Sequence, residues 1–204
     1  MLQSLLDTEN WYWFCLLAYL LGSIPFGLLI TRYFLGYDVR TQGSGNIGMT
    51  NVMRTGGKWP GIATFLLDFG KGFLPVVLAQ TYLKENNIEW MAICGGLSVL
   101  GHTRSIFLKF KGGKGVATNF GFWAALDWRV FVVMGLLWLG MFLWKKVSSL
   151  AALISLSLFP WVVLYLHGAG LVTGVAFLLA LYLLFLHHSN IRRLMGGQEK
   201  KLVG

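Results

Sequence analysis

The chain has 204 residues, of which 56% are hydrophobic, 15% aromatic and only 12% charged, with a mean hydropathy of +0.64. A soluble domain cannot bury that much apolar surface, and the scarcity of charge together with only two cysteines excludes disorder, a coiled coil and a disulfide scaffold. The 17 Lys and Arg against 8 Asp and Glu give a formal charge of +9, which in a membrane protein points to anionic lipid or an anionic substrate.

A helix crossing about 30 Å of hydrocarbon needs about 20 apolar residues. The first such stretch is residues 10–31. The head before it, MLQSLLDTEN, has Asp7 and Glu9 and no basic region, so no cleaved signal peptide is expected. Weaker spans follow at 59–83, interrupted by Asp68 and Lys71, at 89–108, and at 114–128, which is short for a full crossing. Residues 130–144 form a clear span, and residues 147–191 carry no Lys, Arg, Asp or Glu. That run is divided by the breaker cluster His167-Gly168-Ala169-Gly170. The expectation is one all-α polytopic membrane domain over residues 1–204, with about seven transmembrane helices, the N-terminus outside and the C-terminus cytoplasmic. Five crossings remain the alternative if the middle segments are re-entrant. This orientation places every Lys and Arg on the inner side except Lys84 and Arg129, outside, and Lys71, within a span, as the positive-inside rule requires. The acids Asp7, Glu9, Glu85, Glu89 and Asp127 fall outside. Cys15 and Cys94 lie within spans and read as small buried apolar residues, with no metal site or disulfide.

Three inner-side segments have compositions that loop connection alone does not require. The first is Gly43-Ser44-Gly45-Asn46-Ile47-Gly48-Met49-Thr50-Asn51. Its glycines allow close backbone approach, and Ser44, Asn46, Thr50 and Asn51 offer neutral hydrogen bonds, which suits either a phosphate cradle or a turn with helix caps. The second runs from Gly101-His102 through Phe107 to Thr118. Lys109, Lys111 and Lys114 surround Gly112-Gly113 beside a helix start, bringing ammonium groups, free backbone N–H groups and a positive dipole end together. A stop-transfer cluster is the plainer alternative. It is not a Walker A loop, because Leu108 stands five before Gly113 and Gly115 follows Lys114. The third is His187-His188-Ser189-Asn190-Ile191-Arg192-Arg193-Leu194-Met195-Gly196-Gly197-Gln198-Glu199, in which His187 and Asn190 share a helix face. A histidine there can take a proton near neutral pH and an Asn can orient a hydroxyl, although interfacial anchoring would use the same residues.

Asp68 and Lys71, at i and i+3 inside a span, can neutralise each other. Intramembrane charge is costly, so a functional or site-supporting role is the default, with a structural ion pair as the alternative. His102 is a weaker candidate, and His167 falls on the outer side as an interfacial residue. These segments can converge at one cytoplasmic mouth. An apolar cavity with a phosphate-binding rim suits a substrate having an acyl chain and a phosphate. A transporter for an organic phosphate is the rival class, but the halves show no self-similarity. Nucleic acid is not an expected partner, since the basic residues are dispersed over short loops.

At these motifs the chain resembles the bacterial acyl-phosphate:glycerol-3-phosphate acyltransferases, integral membrane enzymes that begin phospholipid synthesis. The resemblance covers nearly the whole chain. It rests on Gly22-Ser23-Ile24-Pro25-Phe26-Gly27, Ser44-Gly45-Asn46-Ile47-Gly48 with Thr50-Asn51, Asp68 with Lys71-Gly72, Gly101-His102, Phe110-Lys111-Gly112-Gly113-Lys114-Gly115-Val116-Ala117-Thr118, and His187 with Asn190-Ile191, Arg193-Leu194, Gly197 and Glu199. It implies acyl transfer from acyl phosphate to the sn-1 hydroxyl of glycerol 3-phosphate at the cytoplasmic face of the inner membrane, without cofactor or metal. By position it implies His187 and Asn190 for catalysis and Gly112, Gly113 and Lys114 for glycerol 3-phosphate. Ser44, Gly45, Asn46, Thr50, Asn51, Asp68, Lys71, His102, Lys111, Thr118 and Arg193 complete the expected substrate- and phosphate-binding set. The H-x-x-x-x-D pair of soluble-domain glycerolipid acyltransferases is absent, since Phe107, Val172, Arg192 and Arg193 stand five after the four histidines. Two mechanisms remain open. In one, His187 is the base while Asn190 and N–H groups near Ser44 to Asn46 stabilise the oxyanion. In the other, a donor phosphate oxygen takes the proton and His187 positions the substrates.

Overall fold

The computed structural model describes residues 11–82 and 88–202. Asp7, Glu9, Lys84 and Glu85, used above for orientation, lie outside the described residues. Among those described there are ten α-helices: α1 Trp11–Ser23, α2 Phe26–Phe34, α3 Met49–Gly56, α4 Lys58–Tyr82, α5 Ile88–Thr103, α6 Val116–Leu126, α7 Trp128–Lys145, α8 Ser148–His167, α9 Leu171–Leu186 and α10 His188–Met195. Five spans are long and apolar enough to cross a membrane: Trp11–Phe34, Lys58–Tyr82, Ile88–Leu108, Trp128–Lys145 and Ser148–His167. A sixth arises if α9 and α10, bent by 56° at their junction, count as one. Helix α6 has 11 residues and rises about 16 Å, half of the hydrocarbon thickness. The expected break after His167 is present, with α8 ending there and α9 starting at Leu171.

The chain forms two compact units, dividing between Leu126 and Asp127. In the first, α4 packs on α6 and α1 on α5. The α4–α6 approach is backbone to backbone. Gly72 lies against the Thr118 carbonyl and Gly121 against the Phe69 carbonyl, and a Cβ at either would overlap main-chain atoms. Small residues at the contact are how helices associate where no water drives apolar surfaces together.

The first span is broken at Ile24-Pro25, and polar side chains repair the break. Ser105 Oγ donates to the Ser23 carbonyl at 2.6 Å, and Lys71 Nζ donates to the Ile24 carbonyl at 2.7 Å. Helix α4 continues through Pro75, which has no N–H to give the carbonyl four residues earlier. That carbonyl is Lys71's, and Ser98 Oγ of α5 donates to it at 2.6 Å. In hydrocarbon each such group needs a partner, so these serines compensate for the prolines.

In the second unit, α8 packs on both α7 and α9. Asp127 caps α7 by accepting from the Arg129 N–H at 2.9 Å, while its second carboxylate oxygen meets Arg129 Nη2 at 2.7 Å and His167 Nε2 at 2.9 Å. This ties the end of α8 to the start of α7. At the opposite end, the Leu202 N–H donates to the Lys146 carbonyl at 3.0 Å, holding the C-terminal segment on the α7–α8 connection.

Candidate active site

Three polar clusters occupy the segments singled out in the sequence, two in the first unit and one in the second.

The loop before α3 is organised from its centre by Asn51, which is 1% exposed. Its Nδ2 donates to the carbonyls of Val39, Gln42 and Asn46 at 3.3, 3.0 and 2.9 Å, and its Oδ1 accepts from the Ser44 N–H at 2.8 Å. Asn51 therefore shapes the loop. The Gly45 N–H is bonded to the Gln42 carbonyl, so the N–H groups of Ser44 and Gly45, two of those that one of the two mechanisms would use at an oxyanion, are engaged within the loop. The Ser44 side chain is exposed, and Asn46 and Thr50 are half-buried. Asp38 starts the loop, and the hydrogen bond from Arg40 holds its carboxyl down at about 2. Arg54, counted in the sequence only as an inner-side charge, lies one turn beyond Asn51 with a buried Nε.

A small apolar core of Leu28, Val39, Ile47, Val52 and Leu108 joins this loop to the second cluster. After α5 the chain reverses through Lys109 and Phe110, both left-handed at φ 52 and 63, and returns beside its own helix end. The Gly112 N–H donates to the Thr103 carbonyl at 3.0 Å and the Gly113 N–H to the His102 carbonyl at 3.1 Å. The N–H groups of these two glycines are therefore committed to the fold, and the donors near the loop are the N–H groups opening α6 and the lysines. Lys111 is exposed and Lys114 half-buried. Two residues of the first turns of α6, Thr118 and Asn119, are fully buried, and the Thr118 hydroxyl and both amide atoms of Asn119 have no hydrogen-bond partner. Thr118 is among the expected phosphate-binding residues; its buried neighbour Asn119 is not, because an Asn within an apolar run carries no spacing signal.

Asp68, Lys71 and His102 come together beneath this loop. The Asp68–Lys71 pair is 2.8 Å apart with both side chains 3% exposed, and His102 Nδ1 lies 3.6 Å from Asp68 Oδ1. The Lys71 ammonium is shared with the Ile24 carbonyl and sits 5.6 Å from the Phe26 ring centroid.

The third cluster lies at the α9–α10 bend. His187 is 3% exposed, and its Nδ1 bonds the Leu183 carbonyl at 2.7 Å. A carbonyl only accepts, so Nδ1 carries the proton and the neutral ring has its lone pair on Nε2. Asn190, one turn on, donates from Nδ2 to Glu199 Oε1 at 2.7 Å. The same oxygen accepts from Ser149 Oγ at 2.7 Å, and Arg193 Nε donates to Glu199 Oε2 at 2.6 Å. Burial alone would raise the Glu199 carboxyl; the bonds from Ser149, Arg193 and Asn190 outweigh it and hold the group below its usual range. Glu199 belongs to the motif that carries the resemblance but spacing assigns it no role, and Ser149 has no sequence signal, because their pairing joins residues far apart in the chain.

A family model described as glycerol-3-phosphate acyltransferase matches residues 12–197. The glycerol-3-phosphate acyltransferase of Bartonella henselae is 42% identical over 203 residues, covering 98% of this chain and 95% of the relative. Glycerol-3-phosphate acyltransferase 2 of Thermotoga maritima is 42% identical over 194 residues, covering 95% and 97%. Two crystal structures of PlsY (YgiH), an integral membrane glycerol 3-phosphate acyltransferase, are also similar. Its glycerol 3-phosphate form superposes with a TM-score of 0.88 at 38% identity, and its lysophosphatidic acid form with 0.85 at 37%. Each comparison covers 94% of this chain and 95% of the other.

Proposed function

Because the chain belongs to the glycerol-3-phosphate acyltransferase family, and so is an integral membrane acyltransferase of phospholipid synthesis, we propose that it transfers a fatty acyl group from acyl phosphate to the sn-1 hydroxyl of glycerol 3-phosphate. The products are lysophosphatidic acid and inorganic phosphate. The hydroxyl oxygen bonds to the acyl carbon, the bond from that carbon to the phosphate oxygen breaks, and phosphate leaves with its electron pair. The PlsY structures in glycerol 3-phosphate and lysophosphatidic acid forms support the acceptor and the product.

The observation that carries the reading is the fixed ring of His187. With Nδ1 bound to the Leu183 carbonyl, Nε2 is the basic nitrogen and takes the hydroxyl proton as the C–O bond forms. Asn190, oriented by Glu199, turns its amide oxygen away from that carboxylate to align the hydroxyl. Acyl phosphate is already activated, so the base assists a good leaving group. In the first unit, Lys111, Lys114, the N-terminal turn of α6 with Thr118, and Ser44, Asn46 and Thr50 are assigned to phosphate; in the second, Arg193 is. Gly45, Asn51, Gly112 and Gly113 shape the loops that present them.

The reading includes seven crossings, with α6 as a short one, the N-terminus outside, and these clusters facing the cytoplasm across the inner membrane. The excess of Lys and Arg in the loops assigned to the inner side supports that orientation. Phosphate release by the purified protein in lipid, given palmitoyl phosphate and glycerol 3-phosphate with each omitted in turn, tests the reaction. Release is expected only with both substrates; release without glycerol 3-phosphate, or none in a folded sample, would overturn it.

A further inference from the structure

The buried charges Asp68, Lys71 and His102 invite a direct role in holding substrate phosphate, but all three are buried and turned toward groups of the protein itself. The Lys71 ammonium is divided between Asp68 and the Ile24 carbonyl, beside the Phe26 ring. The imidazole of His102, 3% exposed, faces Asp68 with Nδ1 3.6 Å from Oδ1, beyond hydrogen-bond distance. Its opposite edge is covered by Gly113, where a Cβ would overlap Nε2 and lie close to Cε1 and Cδ2.

His102 therefore touches the glycine turn twice. Its carbonyl receives the Gly113 N–H, and its ring forms the surface on which Gly113 rests. Gly112 is held the same way on the main chain of His102 and Thr103, with its N–H on the Thr103 carbonyl. The turn leads directly into Lys114, Gly115 at φ 79 and the first residues of α6. Displacing Gly113 thus moves the Lys114 ammonium and the N–H groups opening α6 together. A site that binds a phosphate through several converging donors loses affinity when those donors shift by about 1 Å.

We propose that His102 is a positioning residue for glycerol 3-phosphate. Packed beside the buried Asp68–Lys71 pair and resting against Gly113, it sets the height of the Gly112-Gly113 turn and so the placement of Lys114 and the α6 N-terminus at the acceptor's phosphate. This inference rests on the reading that the turn serves that substrate. It makes the ion pair in the membrane interior a support for a binding loop and assigns the three side chains no contact with ligand.

The test is steric complementation. A methyl at Gly113 meets the His102 ring, whereas the shorter side chain of asparagine at position 102 leaves room for it. Gly113→Ala is expected to raise KM for glycerol 3-phosphate roughly tenfold, with kcat within about threefold and KM for acyl phosphate unchanged. His102→Asn is expected to raise the same KM, since the turn loses its support, and His102→Gln, which keeps more of the reach, to raise it less. In the Gly113→Ala/His102→Asn double variant KM returns toward the wild-type value. KM does not depend on the fraction of protein correctly folded, so a role confined to stability would lower apparent kcat and leave KM in place. If Gly113→Ala does not fold, the order His102→Asn above His102→Gln above wild type carries the test. Effects that multiply in the double variant, or losses confined to kcat, would overturn the inference. A wild-type protein without acyl transfer would overturn the underlying reading; wild-type transfer with an unmoved KM in every variant would overturn this inference alone.

Discussion

The ammonium of Lys71 reaches across 47 positions of sequence to the carbonyl of Ile24, at 2.7 Å. Ile24-Pro25 interrupts the first span, and an interrupted helix inside a membrane exposes carbonyls that no water can satisfy. A lysine satisfies one of them, and Asp68, 2.8 Å from the same ammonium, balances its charge. Both charges are thus explained by one gap, between α1 and α2, that lies 47 positions before Lys71 in the chain.

Removing one member of this pair should cost more than removing both. Lys71→Met leaves a buried carboxylate without its cation, a loss of about 3–5 kcal/mol for a broken buried pair. Asp68→Asn/Lys71→Met leaves no net charge and should recover at least half of that, measured as thermal unfolding in detergent. A double variant no more stable than Lys71→Met would refute the account of Asp68 as the charge-balancing partner.

Ser98 and Pro75 should be coupled through the Lys71 carbonyl. Ser98→Ala removes the hydroxyl that serves this oxygen, at a cost of about 1–3 kcal/mol for a buried acceptor left unpaired. Pro75→Ala supplies a backbone N–H at the position from which α4 would normally serve the same oxygen. In the Pro75→Ala background, Ser98→Ala should therefore cost much less. Equal costs in the two backgrounds would show that the hydroxyl does not compensate for the proline.

Much of this fold is legible in the sequence because apolar runs and their breaks obey local rules. The end of α8 at His167 and the restart at Leu171 follow from the Gly168-Ala169-Gly170 cluster, and the shortness of α6 follows from its flanking charges and breakers. The candidate site is legible in composition but less so in roles. Asn51 looks like a ligand for phosphate, yet its amide is consumed by four backbone bonds within the loop. Gly112 and Gly113 look like N–H donors, yet their bonds run to Thr103 and His102. In each case a long-range or loop-closing hydrogen bond decides the role, and spacing does not encode such bonds. Ser149, 50 positions from Glu199, is beyond any local pattern for the same reason.

The Glu199 carboxylate should stabilise its unit in a pH-dependent way. Its folded pKa lies below the ordinary value of 4.5, so its contribution is complete above that unfolded value and is lost as pH falls through the lower folded one. Glu199→Gln should therefore unfold at lower temperature than wild type near pH 7, with the gap narrowing as pH falls below about 4.5. A constant gap across that range would show that the carboxylate charge is not what Ser149, Asn190 and Arg193 recognise. Because Asn190 also loses its charged anchor, turnover of the variant should fall even where the protein is folded, which phosphate release at neutral pH measures.

His187→Gln separates the base from the substrate anchor. Glutamine can keep a hydrogen bond in this region but has no nitrogen able to take a proton near neutral pH, so a proton that must go to His187 Nε2 no longer has an acceptor. The expected result is a fall in kcat of about 10²–10⁴, the usual contribution of general-base assistance, with KM for glycerol 3-phosphate and for acyl phosphate within a few-fold of wild type. An unchanged kcat would move the proton to a phosphate oxygen of the donor. A raised KM with kcat preserved would make His187 a binding residue, since uniform loss of ground-state and transition-state contact appears in KM alone.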